Sequence, residues 1–143
     1  MVELTPEQAV QRAKMEEQQL QALQQQGTQI LQLIQEARAT KQMLEDLKGF
    51  ESTSMFPIGS GVFVEGKLSG GKFMMDVGAG NIIEASIEDI TKVLEKREKD
   101  LNNTLKKIGV DAQEVGEDLE ALRMKINDYV RKKQSENDIP VIG

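Results

Sequence analysis

The sequence contains no cysteine, no histidine and no tryptophan, and aromatic residues make up only 3% of its 143 positions. Without cysteine the chain can form no disulfide and has no thiolate for catalysis or metal binding. Without histidine it lacks the usual imidazole base and the commonest metal ligand. We therefore expect no catalytic centre, no bound metal and no cofactor.

Long apolar runs are also missing. No window approaches the roughly 18 to 20 apolar residues that a membrane helix needs, and the N-terminus lacks the apolar run of a signal peptide. The net charge of −6 is spread almost evenly, so no basic stripe is present for nucleic acid or anionic lipid. We expect a soluble, cytoplasmic protein that binds neither nucleic acid nor membrane, and whose core is small or shared.

The N-terminal third predicts one long helix over residues 6–48. Thr5, Pro6 and Gln8 supply an N-cap, a first helical position and a capping-box partner. Gly49 supplies a left-handed C-terminal cap. Residues spaced alternately by three and four, with Glu16 filling one step, form the seam of a coiled coil: Ala13, Leu20, Leu23, Gly27, Ile30, Ile34, Ala37, Lys41 and Leu44.

Between residues 51 and 85 the periodicity changes to two. β-Branched and aromatic residues alternate between glycine-containing turns, which is typical of short strands. Pro57 cannot donate a ladder hydrogen bond, so its strand should lie at an edge or carry a bulge there. Four strands are predicted, paired as two β-hairpins: Thr53 to Ile58, Val62 to Leu68, Lys72 to Val77 and Asn81 to Ala85.

A second long helix is predicted over residues 86–133, with Ser86 as its N-cap. Two successive steps of four at Leu101 interrupt its heptad pattern. The remaining tail, residues 134–143, contains Pro140 and is expected to be flexible. The seam residues are Ile87, Ile90, Leu94, Arg97, Leu101, Leu105, Ile108, Ala112, Val115, Leu119, Leu122, Ile126 and Tyr129.

Two helices of similar length that leave the same β segment are expected to fold back on each other as an antiparallel coiled coil. Counting from the hairpins places Leu44 near Ile90, Leu20 near Glu114 and Leu4 near Val130. Both chain termini then lie at the tip of the coiled coil.

Three glycines lie inside the predicted helices. Gly27 falls near Lys107 to Gly109, and Gly116 follows one heptad after Gly109. An interior glycine costs roughly 1 kcal/mol relative to alanine. Two interpretations are open: a compliant segment, or a close approach of the helices at small residues.

The hairpin segment is not expected to be stable alone. Its few large apolar side chains do not offset the conformational entropy of ordering it, and its open strand edges must be covered or paired. We infer that it assembles with other such segments. The residues assigned to assembly are Met55, Phe56, Ile58, Val62, Phe63, Val64, Phe73, Met75, Val77, Ile82 and Ile83.

Two overlapping sequences match the G-x-x-x-x-G-K part of a phosphate-binding loop, at 61–67 and 66–72. Leu68 and Phe73 follow them where a magnesium-binding serine or threonine is required, and no helix begins after either match. We interpret both as strand and turn sequence, and expect no nucleotide site.

Apolar residues continue toward both chain ends, where seam partners become fewer. Adaptable methionine and aliphatic surfaces of this kind suit promiscuous binding. The alternative, equally compatible with the sequence, is that these residues merely close the end of the coiled coil. They are Leu4, Val10, Met15, Met124, Ile126, Tyr129, Val130, Ile139, Val141 and Ile142.

The order of elements and the hairpin sequences resemble those of alpha-class prefoldin subunits. Two hairpins, rather than one, indicate the alpha class, and the likeness covers nearly the whole chain. Asn81 departs from the pattern, since the family more often has an aromatic or aliphatic residue there. The resemblance rests on Phe56-Pro57-Ile58-Gly59-Ser60-Gly61-Val62-Phe63-Val64 leading into Gly66-Lys67-Leu68, then Asp76-Val77-Gly78-Ala79-Gly80 and Ile83-Glu84.

The resemblance implies an α+β fold in which two β-hairpins join an antiparallel coiled-coil hairpin and contribute to an oligomeric β-barrel body. It implies a hexamer of two alpha-class and four beta-class subunits. The coiled-coil tips would hold non-native polypeptides and deliver them to a group II chaperonin without ATP. We assign client capture to Leu4, Val10, Met124, Ile126, Val130 and the tail residues Ile139, Val141 and Ile142.

The expected function is therefore that of an ATP-independent holdase chaperone. The alternative is a structural coiled-coil scaffold or a homomeric filament subunit. An enzyme is the least expected of the three, because the sequence offers no acid-base or nucleophile constellation.

Overall fold

The computed structural model describes residues 3–49, 51–69 and 72–137, and contains two long helices with two β-hairpins between them. Each hairpin is a separate antiparallel two-stranded sheet, β1 with β2 and β3 with β4. The predicted α+β class is confirmed. The elements are α1 (Pro6–Asp46), β1 (Glu51–Gly59), β2 (Val62–Ser69), β3 (Phe73–Asp76), β4 (Ile82–Ala85) and α2 (Ile87–Asn137).

Side chains cap the starts of both helices as the sequence predicts, whereas α1 ends at Asp46, two residues before the predicted end at 48. The Gln8 N–H donates to Thr5 Oγ1 at 3.2 Å and the Thr5 N–H donates to Gln8 Oε1 at 3.0 Å, which completes the capping box. The Asp89 N–H donates to Ser86 Oγ at 3.2 Å and caps α2. Gly49, with φ +67°, adopts the left-handed conformation that follows a helix.

The C-terminal end of α2 differs from the prediction. The helix continues to Asn137, beyond the predicted end at residue 133, so residues 134–137 are helical and not part of a flexible tail. No glycine or proline lies between Gly116 and Pro140 to stop the helix earlier. Residues 138–143 lie outside the described part of the chain.

The four strands lie where they are predicted, with ends shifted by one or two residues. The register of the first hairpin shifts between Pro57 and Gly59, which is the bulge expected beside the proline. Its turn contains three successive positive φ angles, 120°, 50° and 77°, at Gly59, Ser60 and Gly61. Glycine accepts such angles without strain, which explains its place on both sides of the serine.

Asn81 closes the turn of the second hairpin through its main chain. Its N–H donates to the Gly78 carbonyl at 2.9 Å, and its own carbonyl accepts from the Val77 N–H at 2.9 Å. Its side chain is exposed. The departure at position 81 from the family pattern therefore leaves the turn intact.

The chain forms two compact units. We call residues 1–31 with 103–143 the terminal unit, and residues 32–102 the hairpin unit. Each unit contains part of α1 and part of α2, and the hairpin unit also contains both β-hairpins.

The core of the terminal unit is small. Alanines from α1 face leucines from α2, and the cluster comprises Ala9, Ala13, Leu119 and Leu122, with Leu4, Leu20, Ile126 and Tyr129 packed against it. Gly27 faces Leu105 and Ile108. These pairings are antiparallel, as predicted. The buried Ala9 was not predicted, although it continues the seam one step of four before Ala13.

In the hairpin unit, the second hairpin packs on the helices. The cluster comprises Leu44, Ile90 and Leu94, with Phe73, Met75, Ala85 and Ile87 packed against it. The expected proximity of Leu44 and Ile90 is confirmed. The second hairpin is therefore held by its own chain.

All the residues predicted for the α1 seam are buried or half-buried. In the α2 seam, the prediction is wrong for one residue. Arg97 is exposed, and Glu98 turns inward with 14% of its side chain accessible. The two successive steps of four therefore fall at Leu94, between Ile90 and Glu98, and not at Leu101. Glu98 rather than Arg97 enters the seam because Lys41 occupies the facing position on α1, and its ammonium group pairs with a carboxylate.

Glu98 is held by two cations. Its Oε1 lies 2.6 Å from Arg38 Nε and its Oε2 lies 2.7 Å from Lys41 Nζ. Hydrogen bonds from Lys41 and then Arg38 hold the pKa of Glu98 below its ordinary value. The inward carboxylate thus has both oxygens satisfied.

We expect Glu98→Gln to lower the melting temperature at pH 7, because half-buried Lys41 would lose its charged partner. The folded-state pKa of Glu98 is lowered, so its contribution is present above the unfolded-state pKa and is lost as pH falls through the folded-state pKa. Thermal melts of the two proteins should therefore converge at acidic pH. Exposed Glu95→Gln is the matched control, and an equal loss in both variants would contradict the role of Glu98.

Glycine is not sterically required inside the helices. A β-carbon on Gly27 would lie 3.8 Å from both Ile108 Cγ2 and Leu105 Cδ1, which is ordinary van der Waals contact. A β-carbon on Gly109 or Gly116 would meet no atom within 4 Å. A close helix approach therefore does not account for these glycines, and the compliant segment stays a prediction.

We expect Gly27→Ala, Gly109→Ala and Gly116→Ala each to raise the free energy of unfolding by about 0.5–1 kcal/mol, measured by urea denaturation. If the segment is compliant, hydrogen exchange at neighbouring amides should also slow. Gly66→Ala is the contrasting control and should destabilise the fold, because its β-carbon would lie 2.8 Å from Phe56 Cε2. If any of the three helical substitutions lowered the free energy of unfolding, glycine would be sterically required at that position, which would contradict the structure.

Candidate functional site

Two of the residues assigned to polypeptide binding point inward. Leu4 and Ile126 are half-buried and pack against the core of the terminal unit. The main chain at Leu4 is also held by Tyr129, whose hydroxyl donates to the Leu4 carbonyl at 2.9 Å. This placement fits the alternative that both residues close the end of the helix pair, and their role in binding stays a prediction.

Val10 and Val130 share one flank of the terminal unit. Val10 lies seven residues before Glu17, and Val130 lies seven residues after Arg123. Glu17 Oε1 and Arg123 Nη2 form an ion pair across the two helices, 2.8 Å apart. Residues seven apart lie on the same face of a helix. Because the ion pair joins the two helices on that face, both valines belong to it, with 51% and 49% of their surfaces accessible.

Met124 faces away from α1. Leu122 and Ile126, two positions to either side, both pack toward the core, so the side chain between them points outward. It is 65% exposed. The exposed candidates therefore form a valine flank and a separate methionine surface, while Ile139, Val141 and Ile142 lie outside the described residues.

The terminal unit contains a second charged cluster, which joins the two helices through Arg12. Arg12 Nε lies 3.1 Å from Glu16 Oε1 and Arg12 Nη2 lies 2.8 Å from Asp118 Oδ2. Only 13% of the Glu16 side chain is accessible. Burial, followed by the nearby Asp118 carboxylate, to which a protonated Glu16 can donate, raises the pKa of Glu16, and the same pairing is the largest cause that lowers the pKa of Asp118.

Sequence reasoning finds Glu16 as a seam position but misses its partners. The signal that points to a partner is the carboxylate itself, since a charge in an apolar seam needs a counter-ion. Arg12 lies four residues earlier and is close in any helix. Asp118 depends on the pairing across the helices, and its run of neighbouring carboxylates is typical of a solvated helix face.

In the hairpin unit, most residues assigned to assembly are exposed and two are not. Phe73 and Met75 are half-buried against Leu44, Ile90 and Leu94, so they join the second hairpin to the helices. The remaining residues are between 38% and 67% exposed: Met55, Phe56, Ile58, Val62, Phe63, Val64, Val77, Ile82 and Ile83. Their role in assembly stays a prediction.

Gly66 makes room for an aromatic ring on the opposite strand. The Phe56 ring covers the space that a β-carbon at position 66 would occupy. The whole of 62–69 is strand β2, so the first match to a phosphate-binding loop has its main chain in a ladder with β1. This local geometry favours a packing role for the glycine.

An open apolar groove of about 690 Å³ lies beside β3 in the hairpin unit. Arg97 and Glu36 are among its polar lining residues. Its apolar lining is formed by Leu33, Ala37, Leu44, Phe73, Met74, Met75, Ile90, Leu94 and Leu101. Exposed apolar surface in this unit therefore includes parts of both helices as well as the hairpins.

Within residues 3–49, 51–69 and 72–137, no group of three or more acidic, cysteine or histidine residues is arranged to hold a metal ion. In the same ranges neither helix has a stretch apolar enough to cross a membrane.

Known proteins are similar in sequence to most of this chain. A family model described as prefoldin subunit matches residues 16–132. Prefoldin subunit alpha 1 of Methanocaldococcus jannaschii is 30% identical over 85% of this chain and 84% of that protein. Prefoldin subunit alpha of Nitrosopumilus maritimus is 27% identical over 96% of both chains.

The fold has a counterpart among solved structures. A cryo-EM structure described as filamentous PFD from Methanocaldococcus jannaschii matches with a TM-score of 0.70 and 23% identity, over 80% of this chain and 98% of that chain. At this identity the match concerns the fold, two long helices with β-hairpins between them. Taken with the family model and the sequence relatives, it leads to one assignment: the chain belongs to the prefoldin family, as an alpha-class subunit.

Proposed function

We propose that this prefoldin chaperone subunit is an ATP-independent holdase that captures non-native proteins on the terminal unit and passes them to a group II chaperonin. The observation that carries the proposal is the exposed apolar surface of Val10, Val130 and Met124. Non-native proteins expose apolar side chains, and aliphatic and methionine surfaces cover such side chains without demanding one sequence. Burial of apolar area supplies the binding free energy, so no nucleotide is needed.

The valine flank has the composition of a weak binding patch. Val10 and Val130 are apolar, and the Glu17–Arg123 ion pair one heptad away gives the flank a polar border. An exposed ion pair contributes only about 0–1 kcal/mol to stability. Two half-exposed valines bind weakly alone, so several subunits acting on one client would supply the avidity that a holdase requires.

Assembly with beta-class prefoldin subunits is the second part of the proposal. The first hairpin exposes six large apolar side chains, from Met55 to Val64, and an isolated two-stranded hairpin is at best marginally stable in water. Neighbouring hairpins that pair with its edges and cover its faces would remove both weaknesses. We propose a cytoplasmic hexamer of two copies of this chain and four beta-class subunits.

A homomeric filament or scaffold is the alternative assembly. It is favoured by one observation, the similarity in fold to a structure described as filamentous PFD. The same exposed hairpin residues would then meet copies of this chain. The two assemblies differ in mass and in their need for a beta-class subunit.

We expect the double substitution Val10→Ser with Val130→Ser to reduce the suppression of aggregation of a chemically denatured client in the absence of ATP. The change removes apolar surface from the valine flank and leaves the core of the terminal unit intact, since both side chains are about half exposed. Light scattering at equal subunit concentrations measures the effect, and circular dichroism checks helix content. A several-fold loss of holdase activity is expected.

Val110→Ser is the matched control, because Val110 is 56% exposed on α2 of the same unit but is not assigned to binding. Truncation after Asn137 tests the tail separately, since it removes Ile139, Val141 and Ile142 and no described residue. If both the double variant and the truncated chain suppressed aggregation as well as the wild type, capture would not occur at these residues.

Phe63→Ser is expected to prevent assembly without unfolding the helices. Phe63 is 56% exposed on β2, so its replacement costs the isolated chain little but removes apolar surface from the proposed interface. Native mass spectrometry with and without a beta-class subunit should show the mixed hexamer for wild type and loss of it for the variant. Val93→Ser, on α2 outside the hairpins, is the control. Intact hexamers of Phe63→Ser would refute the proposed interface. A wild-type homomer that forms without binding beta-class subunits would favour the filament.

A further inference from the structure

Glu16 is a carboxylate in an apolar position. It occupies the α1 seam between Ala13 and Leu20, in the unit whose core is formed with Leu119 and Leu122. Its Oε1 accepts from Arg12 at 3.1 Å, but its buried Oε2 has no hydrogen-bond partner among the described residues. A desolvated carboxylate oxygen without a donor destabilises the fold that contains it.

A second carboxylate competes for the same cation. Arg12 Nη2 lies 2.8 Å from Asp118 Oδ2, so Glu16 and Asp118 share one guanidinium. The charged groups that face Glu16 are therefore Arg12 from its own helix and Asp118 from α2. Neighbouring Glu17 and Arg123 pair with each other at 2.8 Å. At neutral pH the cluster thus carries one more negative than positive charge.

We propose that the Arg12–Glu16–Asp118 cluster is a proton-sensitive weak point in the terminal unit, which tightens the pairing of α1 with α2 when it takes up a proton and loosens it when the proton is lost. A protonated Glu16 is neutral and its O–H becomes a donor for the Asp118 carboxylate. One proton therefore removes the repulsion between the carboxylates and gives the buried oxygen a partner.

The direction of the pH dependence follows from the two carboxylates. Burial and then Asp118 raise the pKa of Glu16 above its ordinary value, so its stabilising contribution is complete below the unfolded-state pKa and is lost as pH rises through the folded-state pKa. The pKa of Asp118 is lowered, so its contribution is lost as pH falls through its own folded-state pKa. Tightening is therefore confined to mildly acidic pH, and strongly acidic pH loosens the unit again.

This device is independent of client binding and of assembly. It concerns the opening of the helix pair around Ala9, Ala13, Leu119 and Leu122, the largest buried apolar cluster described in the terminal unit. At neutral pH the unit would open more often than its apolar seam alone would allow. Such opening exposes core side chains close to the valine flank.

Hydrogen exchange of the full-length chain at pH 7 and at about pH 4.5 tests the proposal. The lower pH lies near the ordinary pKa range of carboxyl groups. Protection factors are corrected for the intrinsic exchange rate at each pH. Wild-type peptides covering 9–20 and 115–122 should be better protected at the lower pH. Glu16→Gln mimics the neutral acid and adds an N–H donor, so it should raise protection at pH 7 by about tenfold and abolish the pH dependence. Peptides from the hairpin unit serve as the internal reference.

Two further variants give shifts of opposite sign. Asp118→Asn removes the like charge and should move the midpoint of tightening to lower pH, whereas Arg12→Gln removes the cation and should move it to higher pH. Glu17→Gln, at the adjacent exposed carboxylate, should leave the wild-type pH profile unchanged. Equal protection of Glu16→Gln and wild type at pH 7, or shifts of the same sign for Asp118→Asn and Arg12→Gln, would overturn the proposal.

Discussion

A shortage of core is the constraint on which the rest of this structure depends. Among the described residues only nine hydrophobic side chains are buried, and three of these are alanines. The helices meet along narrow seams, because an apolar stripe with heptad spacing is one or two residues wide. Large apolar side chains are instead left at the surface, on the hairpins and along both helices. A chain of this kind gains stability by association, and its exposed surface is available for that purpose.

Features that depend on local sequence could be predicted well. The α1 seam followed from spacing alone, the capping box from Thr5 and Gln8, and the first hairpin turn from glycines that accept positive φ. The bulge near Pro57 followed from the missing N–H. In each case the physical cause lies within a few residues of its effect.

The one wrong seam residue, and the assignments that stay open, concern residues that depend on a neighbour distant in sequence. Arg97 and Glu98 are both compatible with the heptad pattern, and only Lys41 on the other helix selects Glu98. Phe73 is apolar and in a strand, which suggests assembly, but it is half-buried against helices of its own chain. Leu4 and Ile126 raise the same problem at the chain ends, since apolar character does not distinguish a binding surface from the closure of a core.

Polar groups in the two seams show how differently similar charges can behave. Glu98 has a cation for each oxygen, whereas Glu16 shares one cation with Asp118 and leaves an oxygen without a partner among the described residues. The first arrangement fixes the contact between the helices of the hairpin unit. The second leaves the terminal unit with an uncompensated charge next to its small core. We therefore expect the two units to differ in local rigidity because of these side chains rather than because of backbone geometry.

The contact between Tyr129 and the Leu4 carbonyl has a practical consequence. Tyr129 is the only tyrosine in a chain without tryptophan, so the near-ultraviolet fluorescence of the protein comes almost entirely from one phenol ring. That ring packs on the core of the terminal unit, and its hydroxyl is hydrogen-bonded to the residue just before the cap of α1. The intensity and anisotropy of its emission therefore report on the chain around Leu4 without any added label. The chain carries an intrinsic optical probe at the place where the start of α1 meets the last part of α2.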